Sequence, residues 1–207
     1  MNFFTADTHF GHANIIKYCN RYRFMNLTEK KIMDRNIPEE IKNLIISKET
    51  LDKHDSTIIR NWNERVKDND TVYILGDWCF RNSLGGKKGE GSIAKAEYYI
   101  NQLNGRKVFI RGNHDSNNGV KSIITCAVLN SCGKSVFIQH IPPERKEEIP
   151  NFCNLVLCGH VHEKWRLGFV DDIPIINTGV DVWNFYPVTL QDILRVYSPN
   201  YIKRLHE

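Results

Sequence analysis

The sequence predicts an α/β domain in which short buried strands alternate with helices. Its 207 residues, 41% of them hydrophobic, are enough for one globular domain with a full core. Apolar runs of strand length, mostly β-branched or aromatic, recur along the chain, and their near-continuous apolar character is typical of strands buried on both faces. After an opening Phe-Phe pair at residues 3–4, the clearest runs are residues 71–75 (TVYIL), 107–110 (KVFI), 135–138 (SVFI) and 155–158 (LVLC).

Two helical patterns separate these runs. Residues 52–66 carry apolar side chains at helical spacing, and Asp52 or Ser56 is the predicted N-cap. Residues 92–103 give the second helix, which begins at an N-cap on Ser92 and ends before an Asn-Gly pair. The alternation of strand and helix favours a layered α/β arrangement.

Three further segments complete the secondary-structure prediction. Residues 164–170 and 174–176 flank two aspartates and predict a hairpin. A charged and partly helical segment within residues 28–53, with Pro38 as the first residue of a helix, is predicted to be an insertion. Residues 83–91 hold four glycines, which is typical of a loop.

Composition restricts the class of protein only loosely. The formal net charge of +4 suits an anionic substrate, while the scattered Lys and Arg residues neither support nor exclude a nucleic-acid partner. No apolar stretch is long enough to cross a bilayer, and the start MNFFTADTH lacks the basic region of a signal peptide. Six cysteines without a CxxC pair indicate reduced thiols. We therefore expect one cytoplasmic domain over residues 1–207, without membrane contact and with its oligomeric state left open.

Each of the five apolar runs is followed by side chains that can bind a metal ion. The acids, amides and histidines at these strand ends are Asp7, His9, Asp77, Asn113, His140, His160 and His162. In open α/β sheets the ligand crevice lies beyond the carboxyl ends of the strands. We therefore expect these side chains, which are remote in sequence, to converge on one edge of the fold.

The residue types at the strand ends indicate a metal centre. Carboxylate and amide oxygens combined with imidazole nitrogens suit divalent ions such as Mn²⁺, Fe²⁺, Zn²⁺, Ni²⁺ or Co²⁺. Three acids or amides and four histidines are too many for one tetrahedral zinc, and they fit two metals that share a carboxylate. Two such ions about 3.5–4 Å apart lower the pKa of a bridging water and hold a phosphoryl group for in-line displacement. The sequence thus predicts two divalent metal ions, with manganese favoured.

In their order along the chain, these motifs resemble those of the calcineurin-like metallophosphoesterase family. The resemblance rests on Asp7-x-His9, Gly76-Asp77, Gly112-Asn113-His114-Asp115, His140 and Gly159-His160-Val161-His162. Residues 7–20 and 177–187 are similar to a subgroup of small bacterial, archaeal and phage phosphoesterases, whereas residues 28–53 have no counterpart there. The resemblance implies a four-layer sandwich in which two mixed β-sheets are flanked by helices.

The resemblance also implies a role for each motif residue. One ion would be held by Asp7, His9 and His162, and the other by Asn113, His140 and His160, with Asp77 bridging both. His114 would protonate the leaving-group oxygen or stabilise charge in the transition state, tasks that suit an imidazole because it ionises near neutrality. Asp115 would orient His114.

The chain departs from the family pattern just after the Gly76-Asp77 pair. Many relatives have a second acid or an arginine there, and the acid supports the general-acid histidine. Here the run continues to Arg81, whose planar guanidinium matches phosphate oxygens, and we predict that it binds substrate. His12 is predicted to contact substrate at the rim of the site or, alternatively, to cap a helix that begins near Ala13.

Residues outside the ligand motifs receive more ordinary predictions. His54 and His206 are expected to be structural or surface histidines. Residues 177–181 are expected to form a loop behind His160 and His162, where polar side chains would support the metal ligands.

The sequence therefore predicts a binuclear metal-dependent hydrolase of phosphoric esters. A hydroxide bridging the two metals would attack a phosphomonoester or phosphodiester, with His114 as the general acid. Two alternatives stay open, namely a non-catalytic metal-binding scaffold and a nuclease or nucleic-acid end-processing enzyme that uses the same site. The expected partner is an anionic phosphate ester whose leaving group the sequence does not identify.

Overall fold

Two β-sheets form the centre of the fold in the computed structural model, which describes residues 1–81, 90–115, 120, 122–131 and 133–196. Within this part of the chain the strands are β1 (Asn2–Thr5), β2 (Thr71–Leu75), β3 (Arg106–Ile110), β4 (Cys126–Ser131), β5 (Lys134–Gln139), β6 (Leu155–Cys158), β7 (Leu167–Val170), β8 (Ile173–Asn177) and β9 (Val188–Thr189). The α-helices are α1 (Ala13–Tyr18), α2 (Leu27–Arg35), α3 (Pro38–Asn43), α4 (Lys48–Arg65), α5 (Ala96–Ile100) and α6 (Leu190–Val196). Most of the loop predicted at residues 83–91, and His206, lie outside the described residues.

Both sheets are mixed. The first has the strand order β3-β2-β1-β9, in which β1, β2 and β3 run parallel and β9 is antiparallel. The second has the order β4-β5-β6-β8-β7, with parallel strands at its centre and antiparallel strands at both edges. Two mixed sheets flanked by helices confirm the predicted sandwich.

Alternate side chains of the strands fill separate apolar layers. On one face of the first sheet, Phe3 and Val72 pack in a cluster with Ile58 and Trp62 of α4. The other face meets the second sheet in a cluster that contains Phe4, Leu75, Ile110, Val136, Leu155 and Ile176. A third cluster covers the outer face of the second sheet. Because successive side chains point to opposite faces, strands covered on both sides must be apolar throughout, as the sequence predicts.

The strand predictions are confirmed, and two further strands lie beyond them. The predicted hairpin is present, since β7 and β8 pair antiparallel with Phe169 opposite Pro174. The sequence does not predict β4, an edge strand whose residues alternate between exposed and half-buried. Nor does it predict β9, which has only two residues. β9 is too short to give a strand signal, whereas residues 126–129 of β4 (CAVL) are an apolar run that the prediction passes over.

The first predicted helix begins earlier than expected. Its N-cap is Ser47, whose side chain accepts a hydrogen bond from the N–H of Thr50 at 3.2 Å. The predicted caps Asp52 and Ser56 are therefore wrong, and both lie inside α4.

The second predicted helix is shorter than expected, whereas the helical character predicted within residues 28–53 is present. The side chain of Ser92 accepts the N–H of Ala94 at 3.0 Å and forms a local turn, so α5 begins only after Lys95. Pro38 is the first residue of α3, as predicted, and α2 and α3 give residues 28–53 their helical character. The single domain with an insertion stays a prediction.

None of the described helices is both long and apolar enough to cross a membrane. The five described cysteines are free.

Candidate metal centre

The loops after β1 and β2 lie side by side and continue the pairing of the two strands. Asp7 donates its backbone N–H to the Gly76 carbonyl at 3.1 Å, and His9 donates to the Asp77 carbonyl at 3.1 Å. Gly76 has a φ of +88°, and a Cβ there would come within 2.3 Å of Nδ1 of His140, so this close approach requires glycine. The pairing brings Asp7, His9 and Asp77 together at the carboxyl edge of the first sheet.

The second sheet meets the first at the same edge. The N–H of Gly159 donates to the His140 carbonyl at 2.9 Å, which joins the ends of β5 and β6. The carboxylate of Asp7 accepts the N–H of His160, at 2.9 and 3.1 Å from its two oxygens. A side chain from the first sheet therefore anchors the turn that carries His160 and His162.

Five of the seven predicted ligands have a left-handed backbone. The φ angles lie between +47° and +71° at Asp7, His9, Asp77, His160 and His162. Residues other than glycine rarely adopt this conformation, which costs on the order of 1–3 kcal/mol at each position and clusters at functional sites. No sequence pattern predicts this strain, and its concentration at three strand ends is independent support for a functional site.

The seven predicted ligands converge into two neighbouring groups. The first ligand group contains Asp7, His9 and His162, and the second contains Asp77, His140 and His160. Within each group, one potential ligand atom per residue lies within 4.8 Å of the other two. Asn113 joins the second group, since its Oδ1 is 2.8 Å from Nε2 of His140 and 3.1 Å from Nδ1 of His160.

Asp77 belongs to the second ligand group and also approaches the first. Its Oδ2 is 3.3 Å from Nε2 of His140 and 3.7 Å from Nε2 of His9, so it approaches one histidine of each group. Its Oδ1 accepts the backbone N–H of His114 at 3.0 Å. A carboxylate in this position can contribute oxygen atoms to cations on both sides.

The donor set fits divalent cations. Nε2 of His9 is buried and has no hydrogen-bond partner among the described residues, although buried polar atoms nearly always have one. A cation between this nitrogen and the Asp77 carboxylate would satisfy both groups. The surrounding imidazole nitrogens and carboxylate oxygens are ligands that manganese, iron, zinc, nickel and cobalt accept.

Burial and mutual contacts shift the pKa values of the predicted ligands. Burial raises the pKa of Asp7 to about 6 and lowers the pKa of His9 well below its usual range, because each charged form loses solvation. Burial also disfavours charge on His140, but the hydrogen bond with Asp77 and the charge of Asp7 outweigh it and raise the pKa to about 9. Without a cation the His140 imidazole therefore holds a proton at neutral pH, and a bound cation would displace it.

The remaining predicted site residues surround this centre. His12 stacks on Phe80 with ring centroids 4.7 Å apart, and its Nδ1 is 3.5 Å from Nδ1 of His9. His12 occupies the N-cap position of α1, which begins at Ala13, but its side chain makes no capping hydrogen bond, and its contact with substrate stays a prediction. The ring centroid of His114 is 6.1 Å from that of His9. Arg81 is exposed and directly precedes residues that the structure does not describe.

Asp115 supports the loops around the centre. Its buried carboxylate accepts three backbone N–H groups, with Oδ2 accepting from Asp77 at 3.1 Å and Gly112 at 2.7 Å, and Oδ1 accepting from Trp78 at 2.9 Å. These hydrogen bonds tie the loop after β2 to the loop after β3. The orientation of His114 by Asp115 stays a prediction, since these contacts of the carboxylate are all with backbone.

The predicted supporting loop is present behind His162. Asn177 donates to the His162 carbonyl at 2.7 Å, and Oδ2 of Asp181 lies 3.3 Å from Nδ1 of His162. The sequence does not single out Arg21, which is buried and paired with Asp181, or the full burial of His54. An isolated arginine or histidine belongs to no motif, so only the fold reveals these positions.

A cavity of about 360 Å³ opens beside the second ligand group. Its lining includes Asn113 and His140 together with Arg111, Gln139 and Glu148. This volume is within the range of small-molecule sites, and the charged and amide groups suit a polar occupant.

The fold and the site define a two-sheet sandwich with two adjoining groups of potential metal ligands at one edge. The chain is 32% identical to the uncharacterized protein MJ1445 of Methanocaldococcus jannaschii over 206 residues, which cover 96% of this chain and 92% of that protein. It therefore belongs to the same family as MJ1445. The Gene 66 protein of Mycobacterium phage L5 is 34% identical over 112 residues, or 54% of this chain and 38% of the phage protein. No protein-family model matches the chain.

A solved structure shows the same fold. The protein of unknown function AQ665 from Aquifex aeolicus aligns with a TM-score of 0.57 and 22% identity, over 95% of this chain and 98% of that chain. This similarity supports the fold alone. Two alignments are weaker. An archaeal phosphodiesterase aligns with a TM-score of 0.40 and 17% identity, over 86% of this chain and 82% of that chain. The Pseudomonas putida nuclease MPE aligns with a TM-score of 0.43 and 20% identity, over 86% of this chain and 72% of that chain. Similarity at that level carries no argument about activity.

Proposed function

We propose that this chain is a metal-dependent phosphoesterase that hydrolyses a phosphomonoester or a phosphodiester. The observation that carries the proposal is the pair of ligand groups joined by Asp77, which together with Asn113 brings oxygen atoms and imidazoles from five strand ends together. Two divalent cations bound there, with manganese as the favoured ion, would lower the pKa of a shared water and neutralise charge on the phosphoryl group.

The side chains have separate roles in this proposal. Asp77 holds the two cation sites at a fixed separation. His114, whose backbone N–H is bound to Asp77, donates a proton to the leaving oxygen. His12 and Arg81 bind the phosphate or its substituent at the rim, while Asp115 keeps the loops in place. The cavity beside the second ligand group accommodates the leaving group.

Replacement of Asp77 by Asn tests the proposal. Hydrolysis of a chromogenic phosphodiester and of the matching monoester is measured with Mn²⁺ for the wild type and for Asp77→Asn. Because the change removes a charged ligand from both cation sites, kcat/KM is expected to fall by at least about 100-fold. Asp52→Asn, at an exposed position of α4, is the matched control and should leave turnover unchanged.

The outcomes separate the proposal from its alternatives. Undiminished turnover by Asp77→Asn contradicts the assigned bridge. A wild-type protein that binds two ions but hydrolyses no ester would instead be a metal-binding scaffold. A panel of monoesters, diesters, nucleotides and oligonucleotides, each with Mn²⁺, Fe²⁺, Zn²⁺, Ni²⁺ and Co²⁺, then defines the substrate class and the ion. Binding that falls steeply with salt indicates a nucleic-acid substrate.

A further inference from the structure

Four buried polar side chains form a connected network behind the first ligand group. This network consists of Arg21, His54, Asp55 and Asp181. The side chains of Arg21 and Asp181 are 0% and 3% exposed, and His54 is fully buried. Buried charges are costly unless they are paired and hydrogen-bonded. The network meets this requirement, and its contacts lead to the residues that carry the first ligand group.

Asp181 fixes which nitrogen of His162 is free to bind a cation. Its Oδ2 lies 3.3 Å from Nδ1 of His162. An ionised carboxylate only accepts hydrogen bonds, so Nδ1 carries the proton and Nε2 keeps its lone pair. A carboxylate that binds the far nitrogen of a ligand histidine sets both the tautomer and the direction of the ring.

Arg21 holds Asp181 and the first strand end with a single guanidinium. Its Nε donates to Oδ1 of Asp181 at 2.8 Å, and its Nη2 donates to Oδ2 at 2.9 Å. Nη2 also donates to the carbonyl of Asp7 at 2.8 Å, and Nη1 donates to the carbonyl of Thr8 at 3.2 Å. The same planar group therefore positions the carboxylate behind His162 and the backbone between Asp7 and His9. A lysine has one charged nitrogen and cannot reproduce this fork.

His54 and Asp55 return the network to the loop that carries His9. Nε2 of His54 lies 2.6 Å from Nη1 of Arg21, which can only donate, so Nε2 is the acceptor. Nδ1 of His54 then donates to Oδ1 of Asp55 at 2.8 Å, and Oδ2 of Asp55 accepts the N–H of Gly11 at 3.0 Å. Among the described residues, the hydrogen bonds of this network reach no member of the second ligand group.

We propose that Arg21 and Asp181 are positioning residues that set the affinity of only one of the two cation sites, the one formed by Asp7, His9 and His162. This inference rests on the proposed function for the presence of two cations, and it does not require hydrolysis. Residues that support metal ligands in this way typically change metal affinity by about 10–100-fold when they are replaced.

Titration with Mn²⁺ followed by electron paramagnetic resonance tests this inference. Two adjacent Mn²⁺ ions give a spin-coupled spectrum, whereas a single ion gives a six-line spectrum. The wild type should show the coupled spectrum at two equivalents of Mn²⁺. Arg21→Lys and Asp181→Asn should bind the first ion with unchanged affinity and the second at least about 10-fold more weakly, so the six-line spectrum persists. Arg65→Lys is the matched control. Arg65 lies away from the site, and its guanidinium pairs with the carboxylate of Asp192 at a distance of 2.7 Å.

Each outcome of this titration decides the inference. A coupled spectrum with wild-type affinity in both variants overturns it, and so does an equal loss at both sites, which would indicate a general structural defect. A wild type that never shows the coupled spectrum overturns the proposed function as well, whereas coupled ions without hydrolysis overturn the proposed function alone. If thermal unfolding shows that both variants are unfolded, His54→Gln replaces them. This variant should lose less Mn²⁺ affinity at the same site, and an unchanged affinity would overturn the inference.

Discussion

Replacement of Asp115 by Asn distinguishes support of the loops from orientation of His114. The change keeps the size of the side chain but exchanges one acceptor oxygen for an NH₂ donor. In the structure Oδ2 accepts the N–H groups of Asp77 and Gly112, and Oδ1 accepts that of Trp78. The side-chain oxygen of an asparagine can accept the N–H groups of Asp77 and Gly112, but the NH₂ group of the asparagine then faces the N–H of Trp78. That buried donor is left without a partner.

The size of the effect follows from these hydrogen bonds. A buried donor without a partner costs about 1–3 kcal/mol, and charge-assisted hydrogen bonds are about twice as strong as neutral ones. One orphaned donor and two weakened hydrogen bonds together give a loss of about 3 kcal/mol in the free energy of unfolding. For a domain of this length, the loss corresponds to a fall of about 6–12 °C in Tm.

Urea unfolding of the wild type and of Asp115→Asn, with and without Mn²⁺, measures this loss. The variant should also bind Mn²⁺ more weakly, because the two loops carry Asp77 and Asn113. The matched control is Asp52→Asn, whose side chain is 60% exposed in the wild type and whose replacement should change stability by less than about 0.5 kcal/mol. An Asp115→Asn protein with wild-type stability and a lower kcat would refute the reasoning and favour the orientation of His114.

Three further perturbations test other parts of the structure. Gly76→Ala should lower the free energy of unfolding by at least about 1–2 kcal/mol, because the backbone is left-handed and a Cβ would lie 2.3 Å from Nδ1 of His140; an unchanged urea midpoint would contradict that close approach. Burial raises the pKa of Glu29, but hydrogen bonds from the Ser47 N–H and the Thr50 hydroxyl outweigh it and hold the pKa below the ordinary 4.5. The stability that this carboxylate contributes is therefore present above about pH 4.5 and lost as the pH falls through the depressed pKa. The urea midpoints of wild type and Glu29→Gln should accordingly differ near neutral pH and converge in acid. A difference that does not change with pH would argue against a contribution from the ionised carboxylate. Mn²⁺ at about 100 times its Kd should stabilise the wild type by about 2.7 kcal/mol per site, as a rise in Tm that EDTA reverses, and an unshifted Tm would speak against a metal centre.

The sequence predicts the ligands because their signals are local. Each apolar run and the polar residue behind it are adjacent in the chain, and the rule that parallel strand ends share one edge then brings distant ligands together. Asp7 and His160 illustrate this, since they are 153 residues apart and in hydrogen-bond contact. The two-residue strand β9 carries too little signal to be predicted. The apolar residues 126–129 (CAVL) could have indicated β4, although its position at the sheet edge leaves them exposed or half-buried.

The support of the ligands is predicted only in part. The loop at residues 177–181 is expected behind His160 and His162, but Arg21 and Asp181 are 160 residues apart and no local pattern indicates their pairing. The N-cap of α4 is a smaller example of the same limit. Ser47 and Asp52 both suit a helix N-cap, and the choice of Ser47 coincides with a tertiary contact, in which Glu29 of α2 accepts the Ser47 N–H at 2.7 Å.

The unfavourable features of the site argue that cations belong to the working protein. Five ligand residues have a left-handed backbone, Nε2 of His9 is buried without a hydrogen-bond partner in the described part of the chain, and burial raises the pKa of Asp7 to about 6. Each feature lowers the stability of the cation-free fold, and a protein without a metal-dependent role would gain by relaxing it. Bound cations would compensate all three at once, because they satisfy the His9 nitrogen, stabilise ionised Asp7 and contribute their binding free energy to the folded state. The arrangement is thus hardest to reconcile with a scaffold that binds no metal, and the hydrolysis assay separates a catalyst from a scaffold that binds two ions.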